Sequence, residues 1–535
     1  MVLRNLKTLM QVRTLRTFLP LTFSNGNCPA LSEIVSTTWL PENKHLRVLS
    51  RQKITKLLTT WCNLLCLRYL DLSYSKIIEL PKWICSLYNL QTLLLSNCYD
   101  LSELPENIGG LVNLHHLDVS NTNLRMMPPR FGRLKNLQVV TDFVVSKDLH
   151  SSKISELGQL SNLRTLSITK LENVAYFKHA LEANLKSKKY LNELFFKRTT
   201  HHQVKNKNVH AHLQTHKKQY ENVLINLQPH ENLKKLMIEN YDGTTFPNWL
   251  GDAIFSNMVN LRLSECKYCE SLPSLGQLSS LQELYIVEME RLQLLHSGFY
   301  RDGQFGIKPF RSLKILSFIK LPCWSVSTHD GQDIPFPSLQ ELQIQDCPRL
   351  KVYRRNSSLT KLELSDCPKL LPFSEDSFLL KLQSVVITNY NNLTPQKQWG
   401  LHGMKSLICF KIEGGCSEAE SFPEEQLLPN TLTSIRISDF PNLINLGEGL
   451  HSLTSLKKLE ISCCVEFELM PKEGLSPNLH SRVITNCTNL MPLRKWSIHG
   501  MKSLTCIKID GGCSNLEVFP QGVLPNLPLG TFQIS

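Results

Sequence analysis

The chain has 535 residues, of which 42% are hydrophobic and 20% charged, and it carries a formal net charge of +13. These proportions are ordinary for a folded soluble protein, and no apolar run approaches the ~18 residues that a membrane-spanning helix needs. The charge excludes less than it suggests: residues 1–32 carry +4 and residues 186–219 carry +8, so the rest is almost neutral and lacks the basic stripe of a nucleic-acid-binding array.

In chain order, Met1-Val2-Leu3-Arg4-Asn5-Leu6-Lys7 interrupts any apolar leader, so no signal peptide is expected. Residues 1–40 read as a partial repeat, with Leu15–Pro20 as the strand of an early unit. From residue 41 a frame L-x-x-L-x-L takes over, clear first at Leu67-Arg68-Tyr69-Leu70-Asp71-Leu72 and again at Leu90/Leu93/Leu95 and Leu114/Leu117/Val119. It continues through Leu163/Leu166/Ile168, Leu233/Leu236/Ile238, Leu281/Leu284/Ile286 and Leu339/Leu342/Ile344 to Leu504/Ile507/Ile509. A frame returning at this period over roughly 20 units is the leucine-rich-repeat signature.

The frame has a simple physical reading. Its last leucines alternate along a short strand, so they point one way and the x residues the other. One unit cannot bury its apolar face alone, so neighbours must stack. The expected fold is therefore an α/β leucine-rich-repeat solenoid, a horseshoe with a parallel sheet on the concave face. Leu-Pro and Phe-Pro steps such as Leu80-Pro81, Leu104-Pro105 and Phe246-Pro247 stop element growth, so the convex arms should be irregular, with only short helical turns.

Two features interrupt the pattern. Between Leu191 and Leu233 lies a basic, histidine-rich stretch, about residues 197–220, expected to be a disordered insertion of the 41–535 solenoid. Its histidines at 201, 202, 210, 212 and 216 have no clear carboxylate or cysteine partner, so a solvated loop is preferred to a metal site. Further on, Val386–Asn389 recurs as Val483–Asn486 and Trp399 as Trp496, an offset of 97 residues that marks a block of repeats copied together.

The seventeen cysteines do not read as a disulfide framework. Cys98, Cys266, Cys347, Cys367, Cys464 and Cys487 each fall three residues past the last strand leucine or isoleucine. Cys416 and Cys513 fall one later, after Gly-Gly pairs. That is the slot where a small buried side chain packs at the turn leaving the strand, so buried, reduced thiols are expected and Cys266-x-x-Cys269 is not read as zinc-binding. Arg51 and Arg482 stand where the frame expects apolar residues; Arg51 is expected to bend outward or to pair with an acid.

At Leu67–Val145 the match becomes specific: LRYLDLSYSKIIELPKWICSLYNLQTLLLSNCYDLSELPENIGGLVNLHHLDVSNT, followed by PPRFGRLKNLQVVTDFVVSK, resembles the repeat domain of plant coiled-coil NLR disease-resistance proteins. ISELGQLSNLRTLSITKLENV, FPNWLGDAIFSNMVNLRLSECKYCESLPSLGQLSSLQELYI and FPSLQELQIQDCPRL are similar to the same family, and the resemblance spans about residues 40–535. It implies an intracellular, cytoplasmic immune sensor that recognises a pathogen effector or a guarded host protein. Its repeats would also contact an NB-ARC nucleotide-binding domain. The chain departs from that family in having no phosphate loop, since Gly403-Met404-Lys405-Ser406 lacks the leading glycine spacing. ATP or ADP would thus belong to a separate domain, and the chain is expected to use no cofactor. A free-standing adaptor, decoy or receptor fragment is the competing expectation.

No catalytic set is suggested by residue spacing, so an enzyme is not expected. The contact candidates are exposed strand positions on the concave face: Tyr69, Asp71, Asp118, Phe195, Tyr285, Lys411, Arg436, Glu460 and Lys508. Nucleic acid and a membrane span are not expected partners.

Overall fold

The computed structural model describes residues 14–19, 40–148, 150–198, 220–293, 297–300, 308–325, 336–350, 358–370, 381–389, 401–414, 419–424, 427–450, 452–468, 475–490, 503–511 and 532–534. They fall into two units, 1–266 and 267–535. The expected insertion lies almost wholly outside the described residues, as do Cys416, Cys513, Trp399 and Trp496.

In the first unit the strands are β1 (Thr17–Phe18), β2 (Val48–Ser50), β3 (Tyr69–Asp71), β4 (Thr92–Leu94), β5 (His116–Asp118), β6 (Val139–Val144), β7 (Thr165–Thr169), β8 (Glu193–Lys197), β9 (Lys235–Glu239) and β10 (Asn260–Ser264). Each pairs in parallel with the next, so one coil contributes one strand. The residues at 14–19 supply β1, which aligns Thr17 with Val48.

The second unit repeats the arrangement. Its strands are β11 (Glu283–Val287), β12 (Ile315–Ile319), β13 (Glu341–Gln345), β14 (Lys361–Ser365), β15 (Ser384–Thr388), β16 (Cys409–Glu413), β17 (Ser421–Phe422), β18 (Ser434–Ser438), β19 (Asn445–Leu446), β20 (Lys458–Ser462), β21 (Ser481–Thr485), β22 (Cys506–Asp510) and β23 (Phe532–Ile534). β17 and β19 form a small parallel pair of their own; the others again stack in parallel, coil by coil.

The frame leucines are the core. Leu93, Leu117, Leu166, Leu194, Leu236 and Leu261 are fully buried in the first unit, as are Leu284, Val385, Phe410, Ile435 and Leu459 in the second. Each such side chain contributes ~1.5–3 kcal/mol by leaving water, and its ladder neighbours do the burying. The arms are short, as the prolines dictate: 3-10 turns at Lys82–Ser86, Glu106–Gly110 and Ile154–Gln159, each following a residue with extended backbone, and one six-residue α-helix at Phe177–Glu182.

The strand exits share one backbone device. Asn97, Asn121, Asn240, Glu265, Asp346, Asp366, Asn389, Asp439, Cys463 and Asn486 all have positive φ. This left-handed region suits Asn and Asp best among residues with a side chain. It turns the chain out of the strand and drops the next residue inward. Cys98, Cys266, Cys347, Cys367, Cys464 and Cys487 are those next residues, and all six are buried free thiols. Gly414 and Gly511 occupy the same left-handed position in other coils, and a Cβ on Gly414 would sit 2.7 Å from Asn389 Oδ1.

Arg51 and Arg482 stay in the core positions the frame assigns them. Arg482 is 1% exposed, and Arg51, expected to bend outward or to pair with an acid, is 9% exposed and does not bend outward. Arg482 aligns between Leu459 and Ile507. Burial lowers the Arg482 guanidinium from 12.5 to about 9 and lowers Arg51 as well.

Candidate protein-recognition face

Along the five-residue strands burial alternates, so the first, third and fifth residues of β8, β9, β13, β14, β15, β16 and β22 lie half-exposed on one face. Each of the nine candidates takes such a position on the strand of its own coil, four in the first unit and five in the second, but the structure treats them differently.

Asp71 is the most enclosed, at 6% exposure. Its carboxylate accepts from Ser50 Oγ (2.8 Å), Gln52 Nε2 (3.0 Å) and the Ser73 backbone N–H (3.0 Å). Burial pushes its pKa up, but these hydrogen bonds outweigh that and hold it below the ordinary carboxylate value. Burial and the Asp71 charge together raise the neighbouring Tyr69 hydroxyl. Asp118 accepts from Thr141 Oγ1 (2.5 Å) and Ser120 Oγ (2.7 Å). These two aspartates knit adjacent coils, with Leu94 between them in the ladder.

Between Asp118 and Phe195 the register shifts, because β6 carries an irregularity between Val140 and Phe143. Asp142 sits in that bulge with φ 62°; it accepts from Ser167 Oγ at 2.6 Å and pairs with Lys197 Nζ at 3.2 Å. Phe195 lies beyond it, with Lys235 Nζ 5.4 Å above its ring. Just past β8, Arg198 pairs with Asp242, reaches Glu172 at 3.8 Å and lies 5.0 Å from the ring of Tyr220. Arg198 and Tyr220 thus stand at the two borders of the basic insertion.

In the second unit the structure brings Lys411, Arg436 and Glu460 into one row on β16, β18 and β20. Lys508 lies further along, separated from Glu460 by Val483. Each charge has a neighbour: Lys411 Nζ with Glu413 (2.7 Å), Arg436 with Glu460 (3.6 Å), Lys458 with Glu460 (2.7 Å) and Lys508 with Asp510 (3.7 Å). Arg436 remains half exposed, and pairs of this kind contribute only ~0–1 kcal/mol, so a partner can exchange them at little cost. Tyr285 donates to Glu283 Oε2 at 3.2 Å.

Glu413, Lys458 and Asp510 are partners in these pairs and lie two residues from a candidate, on the same face of the strand. The alternation of the frame already implied them. A second feature lies before the strands, where Asn89, Asn113, Asn136 and Asn162 each donate Nδ2 to a carbonyl of the preceding coil, those of Leu65, Tyr88, Val112 and Lys135, at 2.8–3.0 Å. Its sequence signal is the asparagine immediately before each frame leucine. Among the described residues no group of three or more His, Cys, Asp or Glu could hold a metal, and no helix is long and apolar enough to cross a membrane.

A family model described as R13L1/DRL21 LRRs matches residues 154–289, and one described as Leucine Rich Repeat matches 66–87 and 89–111; neither is an enzyme family. Disease resistance RPP13-like protein 1 of Arabidopsis thaliana is 38% identical over 498 residues, covering 90% of this chain and 45% of its own length. Disease resistance protein RGA2 of Solanum bulbocastanum is 33% identical over 227 residues, or 41% of this chain and 22% of that protein. An LRR protein of Leptospira interrogans aligns over 92% of this chain and 95% of its own at a TM-score of 0.46 and 20% identity. The chain spans less than half the length of the curated relatives it matches. It is a leucine-rich-repeat protein, and its repeats are related to those of plant disease resistance proteins.

Proposed function

We propose that this chain is the protein-recognition repeat region of an intracellular plant immune receptor, binding a pathogen effector or a guarded host protein through the exposed face of its sheet. The observation that carries this reading is the row Lys411–Arg436–Glu460 with Lys508 beyond it: charged, part-exposed side chains held in register by strands whose alternate residues are fully buried. Rigid strands position these side chains in advance, so little ordering cost remains on binding, and their weak mutual pairs leave them available to opposite charges on a partner. Nucleotide switching is assigned to a separate domain of the receptor, and the cytoplasm to its site of action.

A two-hybrid screen of secreted pathogen proteins and their host targets tests this. The expected result is a partner whose binding is lost in Lys411→Glu/Arg436→Glu and kept when arm residues such as Glu106 and Lys82 are changed. Binding that survives the strand-face changes and fails on the arm changes would overturn the assignment.

A further inference from the structure

A concavity lies in the first unit, at the strand-entrance side of β7, β8 and β9. It measures about 340 Å³ and is lined by Arg164, Lys189, Tyr190, Asn192, Asn232, Lys234 and Asn257. That volume is within the range of small-molecule sites. Its lining holds three cations, three amides and a tyrosine, and no carboxylate.

Backbone pairing fixes how the cations are spread. The Asn192 N–H donates to Arg164 O at 2.8 Å, and the Lys234 N–H donates to Asn192 O at 2.9 Å. Arg164, Asn192 and Lys234 are therefore one row across three strands, with the two charges roughly 10 Å apart at two strand spacings. Lys189 completes the triangle, and Asn232 Nδ2 holds its carbonyl at 3.0 Å. The groove opens where the asparagine row is interrupted: Tyr190 stands at the position that Asn162 and Asn232 fill in the neighbouring coils.

What distinguishes these three cations is that they are not neutralised. Nearby, Lys188 is spent on the carbonyls of Leu157 and Leu160 (2.6 and 2.9 Å), Lys197 on Asp142 and Arg198 on Asp242; Lys189 Nζ lies 5.2 Å from the centre of the Tyr190 ring, a contact that leaves its charge in place. Arg164, Lys189 and Lys234 have no carboxylate within 4.0 Å among the described residues. Three like charges around one concavity repel each other, and a bound anion relieves that repulsion. Spanning the row takes more than one anionic group, and arginine with lysine is the pairing that phosphate recognition favours.

We propose that this groove is a site for a small ligand carrying at least two phosphate groups. It is built from other coils than the row Lys411–Arg436–Glu460 and stands whether or not that row recognises a protein. The phosphates can belong to a free polyphosphate or to a lipid headgroup, and the probes separate these sources.

The experiment is calorimetric titration of the full chain with inorganic tripolyphosphate at physiological salt, beside flotation with phosphatidylcholine vesicles with and without phosphatidylinositol bisphosphate. Wild type should bind tripolyphosphate one to one, and ATP no more tightly. Arg164→Gln/Lys189→Gln/Lys234→Gln should weaken binding by at least tenfold, while the charge-keeping Arg164→Lys/Lys189→Arg/Lys234→Arg retains it within a few-fold. Removing three exposed charges elsewhere, by Lys76→Gln/Lys82→Gln/Lys135→Gln, should change it less than twofold, which separates a site from general charge. Vesicle binding that depends on both the bisphosphate and the three cations identifies a headgroup; soluble binding without it identifies a free polyphosphate. Absence of tripolyphosphate binding by folded wild type, or equal loss in the two triple glutamine variants, would overturn the proposal.

Discussion

Arg482→Val should stabilise the protein, and the chain itself supplies the reason. The copied block places Val385 at the position 97 residues before Arg482, in strands of identical register: Val385 lies between Leu362 and Phe410, Arg482 between Leu459 and Ile507. Val385 is fully buried and Arg482 is 1% exposed. Lowering the guanidinium from 12.5 to about 9 corresponds to a burial cost on the order of 5 kcal/mol. Valine is smaller than arginine; a void of ~50 Å³ would return about 1 kcal/mol of that, and lost arginine contacts return more. A net gain of about 1–3 kcal/mol at pH 7 is expected, in line with apolar replacement of buried ions.

The pH dependence carries a definite sign. Below about 9 both folded and unfolded chains keep the Arg482 proton, and the cost is present in full. As pH rises past that value the folded form releases it first, so wild type gains stability. The advantage of Arg482→Val should therefore shrink between pH 8 and about pH 10. Urea unfolding followed by circular dichroism measures the gap at each pH, and hydrogen exchange over residues 475–490 reports the same change locally, which matters because repeat arrays need not unfold in two states. A lower midpoint in Arg482→Val, with faster exchange across β21, would refute the reasoning.

Lys188→Ala should have the opposite sign: although burial lowers that ammonium to about 8, its loss strands the Leu157 and Leu160 carbonyls, and thermal melts should show a cost of about 1–3 kcal/mol. Asn113→Ala should cost about 1 kcal/mol, since it removes the bond to Tyr88 O; an unchanged melt would show the asparagine row to be decorative. Iodoacetamide at pH 7.5 should label exposed Cys66 well before Cys266 and Cys464, whose thiols burial pushes up to about 12 and about 11. Equal labelling rates in the native protein, read by mass spectrometry, would place those slots in water.

The repeat frame made the buried columns legible because leucine spacing and strand alternation are the same fact seen twice. The cysteine slots were legible too, and the left-handed residue before each, Asn or Asp in four of the six coils, gives their physical cause. Asp71 was not: the hydroxyls and amide that enclose it come from Ser50, Gln52 and Ser73, on two different coils, and no single frame displays them. The β6 bulge hides in Thr141-Asp142-Phe143, where one extra residue slips the register without breaking the apolar pattern. For the groove at Arg164, Lys189 and Lys234, the sequence shows only an excess of lysine. Which of those charges are spent on neighbours emerges only from the packing.

The central claim is that the exposed strand face does the recognising. Hydrogen-exchange mass spectrometry of the chain with its bound protein partner tests it most directly. Protection concentrated in 409–413, 434–438 and 458–462, and absent from the arms at 82–86 and 106–110, is the predicted footprint. Protection confined to the arms, with these strands unchanged, would contradict it.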